Sequence, residues 1–241
     1  MRQDFVYFDL DNTLLDHSKA EKNAHLAIHS LFEELQQVDA DLWHTTYKAI
    51  NTRLWMEYQR GETDRQSLQK TRFRESMESL GITARRSEEI GSRYMEVYRE
   101  YWSWIEGAEE ALIRVAEHYP VGFITNGFTE TQRKKIEFLN LRRFSDLFII
   151  SEELGVMKPH PKVFDVATEK AERPRERILY VGDSYSSDII GGRNAGWGTA
   201  WYRAYSPSPT SSASADFSFD HFPDLVRYLV PSENEQEESA C

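Results

Sequence analysis

Two carboxylates stand directly after the first apolar run of this chain. Asp9 and Asp11 follow Phe5-Val6-Tyr7-Phe8, which has the composition of a strand buried on both faces. Neighbouring carboxylates repel each other unless a cation lies between them, so the pair predicts a bound hard metal such as Mg²⁺. Taken alone, the stretch from Asp9 to Thr13 is equally consistent with a strand end, a turn and a threonine helix cap. The later motifs must decide between these interpretations.

Reactive side chains also follow three later apolar runs. The carboxyl ends of parallel strands lie at one edge of a sheet, where ligands of α/β proteins bind. A carboxylate pair, a hydroxyl, an amide, a lysine and two further carboxylates at that edge are the parts needed for metal-assisted phosphoryl transfer through an aspartyl intermediate. These residues are, in chain order, Asp9, Asp11, Thr125, Asn126, Gly127, Lys158, Asp183 and Asp188.

The carboxylates can be given separate roles. Asp9 at the strand end can attack phosphorus in line with the leaving oxygen. Asp11 lies one strand period further on and points the same way, so it can donate a proton to the leaving alcohol and later take one from water. Asp183 would complete the Mg²⁺ coordination, while Asp188 would orient Asp183 or the lysine.

The remaining groups would bind the phosphoryl oxygens. Thr125, Asn126 and the neighbouring backbone N–H groups can hold these oxygens, with Gly127 permitting a close approach. Lys158 would neutralise charge on the nucleophile and on the phosphate. Each motif alone could be an ordinary turn, loop or helix cap. Their joint occurrence at four successive strand ends favours the catalytic interpretation.

Alternating strands and helices position these groups. The pattern predicts an α/β core, a doubly wound parallel sheet, made of residues 1–15 and 105–231. Its last strand is Thr199-Ala200-Trp201-Tyr202, and a closing helix follows at 222–230. The stretch 206–214 predicts a loop, and the acidic tail 232–241 predicts disorder.

The inserted segment 16–104 is of a different kind. Its apolar residues recur at helical spacing with three breaks, which predicts a cap of four helices, with Thr63-Asp64 and Ser87 as N-cap candidates. Its many arginines are most simply interpreted as solvated helix faces. They include Arg53, Arg60, Arg65, Arg72 and Arg74.

Composition limits the function classes. The net charge of −11 argues against binding to a nucleic-acid polymer. No apolar run approaches the ~18 residues that a membrane helix needs, so we expect no membrane partner. The only cysteine is Cys241, so no intrachain disulfide can form, and a cytoplasmic location is expected.

The motifs resemble those of the haloacid dehalogenase-like (HAD) hydrolase superfamily, and the helical insertion resembles its C1-type cap. The resemblance implies a Rossmann-like core, bound Mg²⁺ and Asp9 as the nucleophile. It also implies that the metal ligands are the Asp9 carboxylate, the Asp11 backbone carbonyl and Asp183. The motifs that carry it are Asp9-x-Asp11-x-Thr13, Thr125-Asn126-Gly127, Lys158-Pro159 and Gly182-Asp183-x-x-x-x-Asp188.

A narrower resemblance is to the bacterial pyrimidine 5′-nucleotidases. It implies a nucleoside monophosphate as the small phosphorylated substrate. We expect Trp55 or Tyr58 of the cap, with Phe128, to stack on the base, although ordinary helix packing explains these aromatics as well. The stretches that carry the resemblance are Leu54-Trp55-x-x-Tyr58-Gln59-x-Gly61, Arg72-Phe73, Ile124-Thr125-Asn126-Gly127-Phe128 and Ile150-Ser151-Glu152-Glu153-x-Gly155-Val156-x-Lys158-Pro159.

Other functions stay open. The same core motifs would suit a sugar-phosphate phosphatase or a β-phosphoglucomutase-like phosphotransferase. A 2-haloacid dehalogenase has no use for an acid at Asp11 or for a metal, and a non-catalytic interaction protein has no need of the intact carboxylates. The sequence leaves open whether the protein is a monomer or a homodimer.

Overall fold

The computed structural model describes residues 3–205 and 215–230, and the chain divides into two compact units. One unit joins Met1–Asp16 to Ser103–Cys241, and the other is His17–Trp102. We call the first the core and the second the cap. No helix in the described part of the chain is long and apolar enough to cross a bilayer.

Among the described residues, the core is built on one sheet of six parallel strands in the order β3-β2-β1-β4-β5-β6. β1 lies in the middle and all four of its residues are buried, as its unbroken apolar run predicts. With helices between successive strands, this confirms the predicted α/β class. The strands are β1 (Phe5–Phe8), β2 (Val121–Thr125), β3 (Phe148–Ile150), β4 (Ile178–Gly182), β5 (Gly198–Tyr202) and β6 (Phe217–Phe219).

Helices follow most strands of the core. A π-helical turn over Tyr185–Ile189 precedes the last short helix before β5. The core helices, numbered after the four of the cap, are α5 (Ala108–Ala116), α6 (Thr129–Phe138), α7 (Ser151–Leu154), α8 (Pro161–Ala171), α9 (Ile190–Asn194) and α10 (Phe222–Leu229).

Strand β6 corrects the prediction that the sheet ends with β5. Phe217-Ser218-Phe219 pairs with β5 in parallel register, but three residues are too few for alternation to be recognised in the sequence. The predicted loop 206–214, which precedes it, and the predicted acidic tail 232–241 lie outside the described residues.

The strand register brings the ends of β1 and β4 together. Phe8 pairs with Phe123 on one side and with Val181 on the other. The chain stays in register for one more residue, because the Asp9 N–H donates to the Val181 carbonyl at 2.9 Å. Asp9 therefore emerges next to the Gly182-Asp183 end of β4.

The cap consists of four helices, as predicted. The predicted N-cap at Asp64 is confirmed, since its carboxylate accepts the Ser67 N–H at 2.9 Å, and Asp39 caps the second helix in the same way. The prediction for Ser87 is wrong, because the helix already includes Ser87 and begins without a side-chain cap. The helices are α1 (His17–Leu31), α2 (Ala40–Gln59), α3 (Arg65–Ser79) and α4 (Ser87–Glu100).

Aromatic rings fill the middle of the cap around the imidazole of His25. The ring centroids of Tyr47 and Tyr94 lie 4.0 and 4.6 Å from that of His25. Arg72 is buried over the same rings, 5.4 Å from the Phe73 centroid, so its interpretation as a solvated residue is wrong. Its guanidinium lies over aromatic faces, where cation–π attraction offsets part of the cost of burial.

Burial also sets the protonation state of His25. Both ring nitrogens lack a hydrogen-bond partner within the described residues, and the side chain has no exposed surface. Burial lowers the pKa of His25 well below its usual value, and the nearby His44 and Arg72 lower it further. His25 is therefore a neutral ring held in an apolar environment.

We expect the His25→Phe substitution to make the cap more resistant to acid. The unfolded chain binds a proton at His25 below pH 6.5 and the folded chain does not, so wild-type stability falls as the pH drops. Between pH 7.5 and 5.0 the free energy of unfolding of the wild type should fall by about 2 kcal/mol relative to the variant.

Urea unfolding of both proteins at the two pH values measures this difference. A His29→Phe variant is the matched control, because His29 is less buried and its Nε2–H donates to the Val38 carbonyl at 2.9 Å. Parallel pH dependence in wild type and His25→Phe would contradict the assignment of a neutral buried imidazole.

Candidate active site

Asp9 lies at the carboxyl end of β1 with only 6% of its surface exposed. Its Oδ1 is 2.7 Å from the Lys158 Nζ, and its Oδ2 accepts the Thr13 hydroxyl at 3.3 Å. Burial raises the pKa of the Asp9 carboxyl to about 7; Lys158 opposes this rise, and Asp188 adds to it. The two contacts fix the carboxylate at the edge of the sheet.

Lys158 is a buried cation beside Asp9. Its Nζ lies 2.7 Å from Asp9, 2.9 Å from Asp188 and 2.6 Å from the Tyr180 hydroxyl. Burial alone would lower the pKa of Lys158, but the carboxylates of Asp188 and Asp9 outweigh burial and raise it. The Tyr180 hydroxyl donates a hydrogen bond to the Ile124 carbonyl at 3.0 Å, so its oxygen is available to accept from Lys158. The lysine is thus held in its charged form.

Three carboxylates meet beside this lysine. Oxygens of Asp9, Asp183 and Asp188 lie within 4.8 Å of one another. Burial raises the pKa of Asp183 well above its usual value, and the charges of Asp9 and Asp188 raise it further. Crowded, partly desolvated carboxylates of this kind suit a hard divalent cation with oxygen ligands, so the residues present fit Mg²⁺.

Asp188 is engaged on both oxygens. Oδ2 accepts the Ser184 N–H at 3.0 Å, while Oδ1 accepts the Ser187 hydroxyl at 3.0 Å and lies 2.9 Å from Lys158. The π-helical turn supplies this geometry, because it returns Asp188 to the end of β4. Asp188 therefore holds Lys158 and closes the turn after Asp183.

The turn after β4 leaves no room for a side chain at Gly182. A Cβ there would lie 2.4 Å from the Asp188 Oδ2 and 2.7 Å from its Cβ. We expect Gly182→Ala to displace Asp188 and to lower kcat at least tenfold. A displacement of about 1 Å in a catalytic site can already lower the rate by this much or more. Steady-state kinetics measures this. Gly61→Ala in the cap is the control for backbone strain, because its φ of +72° disfavours any side chain although a Cβ there would meet no atom within 4 Å. It should lower stability but leave kcat within about twofold.

The Asn126 side chain contacts the backbone of Lys158. Its Nδ2 donates to the Lys158 carbonyl at 3.1 Å, and its Oδ1 accepts the Lys158 N–H at 2.9 Å. Both ends of the amide are therefore used to fix the backbone at Lys158. The sequence places this side chain on the phosphoryl oxygens, and the structure gives it a different set of contacts.

Thr125 and Gly127 flank Asn126 at the end of β2. Thr125 is buried, and its hydroxyl makes a long contact of 3.3 Å to the Asn126 carbonyl. Gly127 has φ of +139°, and its N–H donates to the Ser151 hydroxyl at 3.2 Å. A side chain at Gly127 would meet the Gln132 amide at 2.4 Å, so glycine is required for steric and conformational reasons.

Asp11 is bound by two residues of α6. Lys135 donates to both carboxylate oxygens at 2.6 and 2.8 Å, and Gln132 donates to Oδ2 at 2.9 Å. The Asp11 side chain is 23% exposed, whereas that of Lys135 is 4% exposed. The predicted proton donor thus lies between the solvent and a buried lysine.

The three aromatics predicted for base stacking occupy both units. Trp55 and Tyr58 are half-buried on α2 of the cap, with their rings edge to face at 5.7 Å. Phe128 is buried in the core at the N-terminus of α6. Their role in substrate binding stays a prediction.

Sequence reasoning missed Tyr180, Gln132 and Lys135. Tyr180 is part of an apolar run that predicts a buried strand, and nothing in the run marks its hydroxyl as a contact of Lys158. Gln132 and Lys135 are three residues apart, which places them on one helix face just after Asn126-Gly127. That spacing is the signal that could have indicated them.

Comparison with known proteins gives consistent matches. A family model described as haloacid dehalogenase-like hydrolase matches residues 4–196. The pyrimidine 5′-nucleotidase YjjG of Escherichia coli is 35% identical over 213 residues, which are 85% of this chain and 88% of YjjG. The pyrimidine 5′-nucleotidase PynA of Streptococcus pneumoniae is 28% identical over 227 residues, 93% of this chain and 94% of PynA. A crystal structure of the HAD-hydrolase YfnB from Bacillus subtilis, described as bound to magnesium, matches with a TM-score of 0.81 at 26% identity and covers 96% of this chain and 100% of that one.

Proposed function

The chain belongs to the haloacid dehalogenase-like hydrolase family, and from this premise we propose that it is a Mg²⁺-dependent phosphatase for pyrimidine nucleoside 5′-monophosphates. The observation that carries the proposal is the contact of Asp9 with the buried Lys158, beside Asp183 and Asp188. Such a carboxylate is oriented, charge-compensated and available as a nucleophile. Similarity to two pyrimidine 5′-nucleotidases supports the substrate class.

In the first half-reaction Asp9 is the nucleophile. A carboxylate oxygen of Asp9 forms a bond to phosphorus while the bond from phosphorus to the sugar 5′-oxygen breaks. Before substrate binds, the Asp11 carboxylate pairs with Lys135. In the enzyme–substrate complex Asp11 carries a proton taken from solvent and gives it to that 5′-oxygen, so the nucleoside leaves as a neutral alcohol. Asp9 then carries the phosphoryl group as a mixed anhydride, and Asp11 is left as a carboxylate.

The second half-reaction restores both residues. The Asp11 carboxylate takes a proton from a water molecule whose oxygen attacks the phosphorus. The bond from phosphorus to Asp9 breaks, inorganic phosphate leaves, and Asp9 is again a carboxylate. The sum is one phosphate ester and one water converted to one alcohol and one phosphate, and Asp11 ends as it began.

Several groups hold the phosphoryl oxygens during both steps. We assign this role to the Thr125 hydroxyl, the Asn126 N–H and the Lys158 ammonium, with Asn126 fixing the backbone of Lys158 through its side chain. A bound Mg²⁺ would supply further positive charge to the phosphoryl oxygens and the nucleophile. The Asp9 carboxylate, the Asp11 backbone carbonyl and Asp183 would hold it.

The experiment is phosphate release from a panel of esters in the presence of Mg²⁺ or EDTA. The panel should hold dUMP, dTMP, UMP, AMP and several sugar phosphates. Mg²⁺-dependent release that favours dUMP or dTMP supports the whole proposal. Release chiefly from sugar phosphates would support the phosphatase mechanism but contradict the proposed nucleotide substrate. Activity only after addition of a bisphosphorylated sugar would indicate a phosphotransferase instead.

A second test addresses the base. If Trp55 and Tyr58 stack on the pyrimidine, replacing each by Ala should lower kcat/KM for dUMP but not for ribose 5-phosphate. Both are half-buried on α2, so the variants should also be checked for folding. Equal effects on the two esters would assign the rings to packing within the cap.

A further inference from the structure

Helix α6 turns two polar side chains toward the interior of the core. Its buried residues are Gln132, Lys135 and Ile136, so two of the three inward positions are polar. A lysine is almost never buried without a charged partner, because its ammonium loses its hydration. The partner here is the Asp11 carboxylate, to which Lys135 donates at 2.6 and 2.8 Å.

Gln132 joins Asp11 to the end of β2. One nitrogen, Nε2, donates to the Asp11 Oδ2 at 2.9 Å and to the Asn126 carbonyl at 2.8 Å. Both partners are acceptors, which fixes the orientation of the amide. The absence of a side chain at Gly127 makes room for this bridge.

The loop that carries Asp11 has its own backbone bonds. The N–H groups of Leu14 and Leu15 both donate to the Leu10 carbonyl, at 2.8 and 2.9 Å. These bonds fix where the Asp11 backbone lies, but not where its carboxylate points. The direction of the carboxylate is fixed by the donors on α6, Lys135 and Gln132.

We propose that Lys135 and Gln132 are positioning residues that hold the Asp11 carboxylate within reach of the leaving oxygen. The inference rests on the proposed function. A proton donor must lie within hydrogen-bond distance of the atom it protonates, and an aspartate on a loop has rotational freedom that three hydrogen bonds remove. Weakening these bonds should therefore harm proton donation to the leaving group more than any other step.

Leaving groups of different basicity isolate that step. p-Nitrophenolate leaves without a proton, whereas the 5′-oxygen of dUMP needs one. The parameter kcat/KM covers the steps up to release of the alcohol, so later hydrolysis of the aspartyl phosphate does not affect it. The ratio of kcat/KM for the two esters thus measures proton donation by Asp11.

The test compares wild type with Lys135→Met and Gln132→Leu on dUMP and p-nitrophenyl phosphate. We expect kcat/KM for dUMP to fall about tenfold or more in each variant, and that for p-nitrophenyl phosphate to change less than about threefold. Lys135→Arg keeps a cationic donor and should recover part of the loss. Lys134→Met is the matched control, because the Lys134 side chain is 39% exposed and pairs with Glu130 at 2.6 Å rather than with Asp11.

A double-mutant cycle with Asp11→Asn separates positioning from general damage to the fold. In the Asp11→Asn background, Lys135→Met should leave the ratio of the two esters unchanged. The proposal would be overturned if kcat/KM fell equally for both esters in the single variants. It would also be overturned if Lys135→Met lowered kcat/KM for dUMP as much in the Asp11→Asn background as in the wild type. A wild-type enzyme that releases phosphate from neither ester would instead overturn the proposed function and the positioning role with it.

Discussion

Asp9→Asn should lower kcat for phosphate release from dUMP by about 10⁴-fold or more, the scale seen when a nucleophile of a concerted catalytic set is removed. An amide oxygen cannot form the mixed anhydride that the reaction needs. The residual hydrogen bonds of Lys158 and Thr13 orient the side chain but cannot replace its nucleophilicity. Steady-state kinetics at saturating Mg²⁺ measures the loss.

The fold should tolerate this change. Burial disfavours the charged form of Asp9, and Lys158 keeps its ion pair with Asp188 when Asp9 is replaced. A neutral amide of the same shape should therefore leave the free energy of unfolding in Mg²⁺-free buffer no lower than that of the wild type. Asp4→Asn is a matched control, since Asp4 lies before β1 at the opposite edge and pairs with Arg177 at 2.6 Å. Its kcat should stay within about twofold. Substantial turnover by Asp9→Asn would remove Asp9 as the nucleophile.

Lys158→Met should harm both activity and stability. Removing one partner of a buried ion pair typically costs about 3–5 kcal/mol, because the remaining charges stay desolvated. Here Asp9 and Asp188 would lose their common cation. We also expect kcat to fall by about 10³-fold, since the ammonium no longer stabilises charge on the phosphoryl oxygens.

The loss of stability should depend on pH. Burial raises the pKa of the Asp9 carboxyl and Lys158 opposes this rise, so without Lys158 the Asp9 carboxyl holds its proton still more tightly when folded than when unfolded. Such a group stabilises the folded state as the pH falls. The deficit of Lys158→Met relative to wild type should therefore be larger at pH 8 than at pH 5.5. Urea unfolding in Mg²⁺-free buffer measures it, with the exposed Lys170 replaced by Met as the control. A deficit that is larger at pH 5.5 would contradict this account of the buried charges.

The strand-end groups could be predicted because of a property of parallel sheets. Four apolar runs, each followed by polar residues, are enough to place Asp9, Lys158, Asp183 and Asp188 together once the strands are parallel. No side-chain detail is needed for that step. The contacts among these residues then follow from burial, because a desolvated lysine and desolvated carboxylates are costly unless they form ion pairs.

Contacts that depend on how a helix is rotated could not be predicted in this way. Lys135 has the sequence neighbourhood of a solvated lysine, between Lys134 and Ile136, and only the packing of α6 turns it inward. The same holds for Arg72, whose guanidinium lies over the rings of the cap. Asn126 shows a third case, because a short amide can reach either the ligand or the backbone, and local geometry selects the backbone of Lys158.

The central claim is that Asp9 carries the phosphoryl group between the two half-reactions. Mixing the enzyme with dUMP and Mg²⁺, stopping the reaction in acid within milliseconds and reducing with borohydride converts an aspartyl phosphate to homoserine. Peptide mass spectrometry then locates it. The account predicts homoserine at position 9 in wild type and none in Asp9→Asn. Homoserine at another aspartate, or none in an enzyme that turns over dUMP, would contradict it.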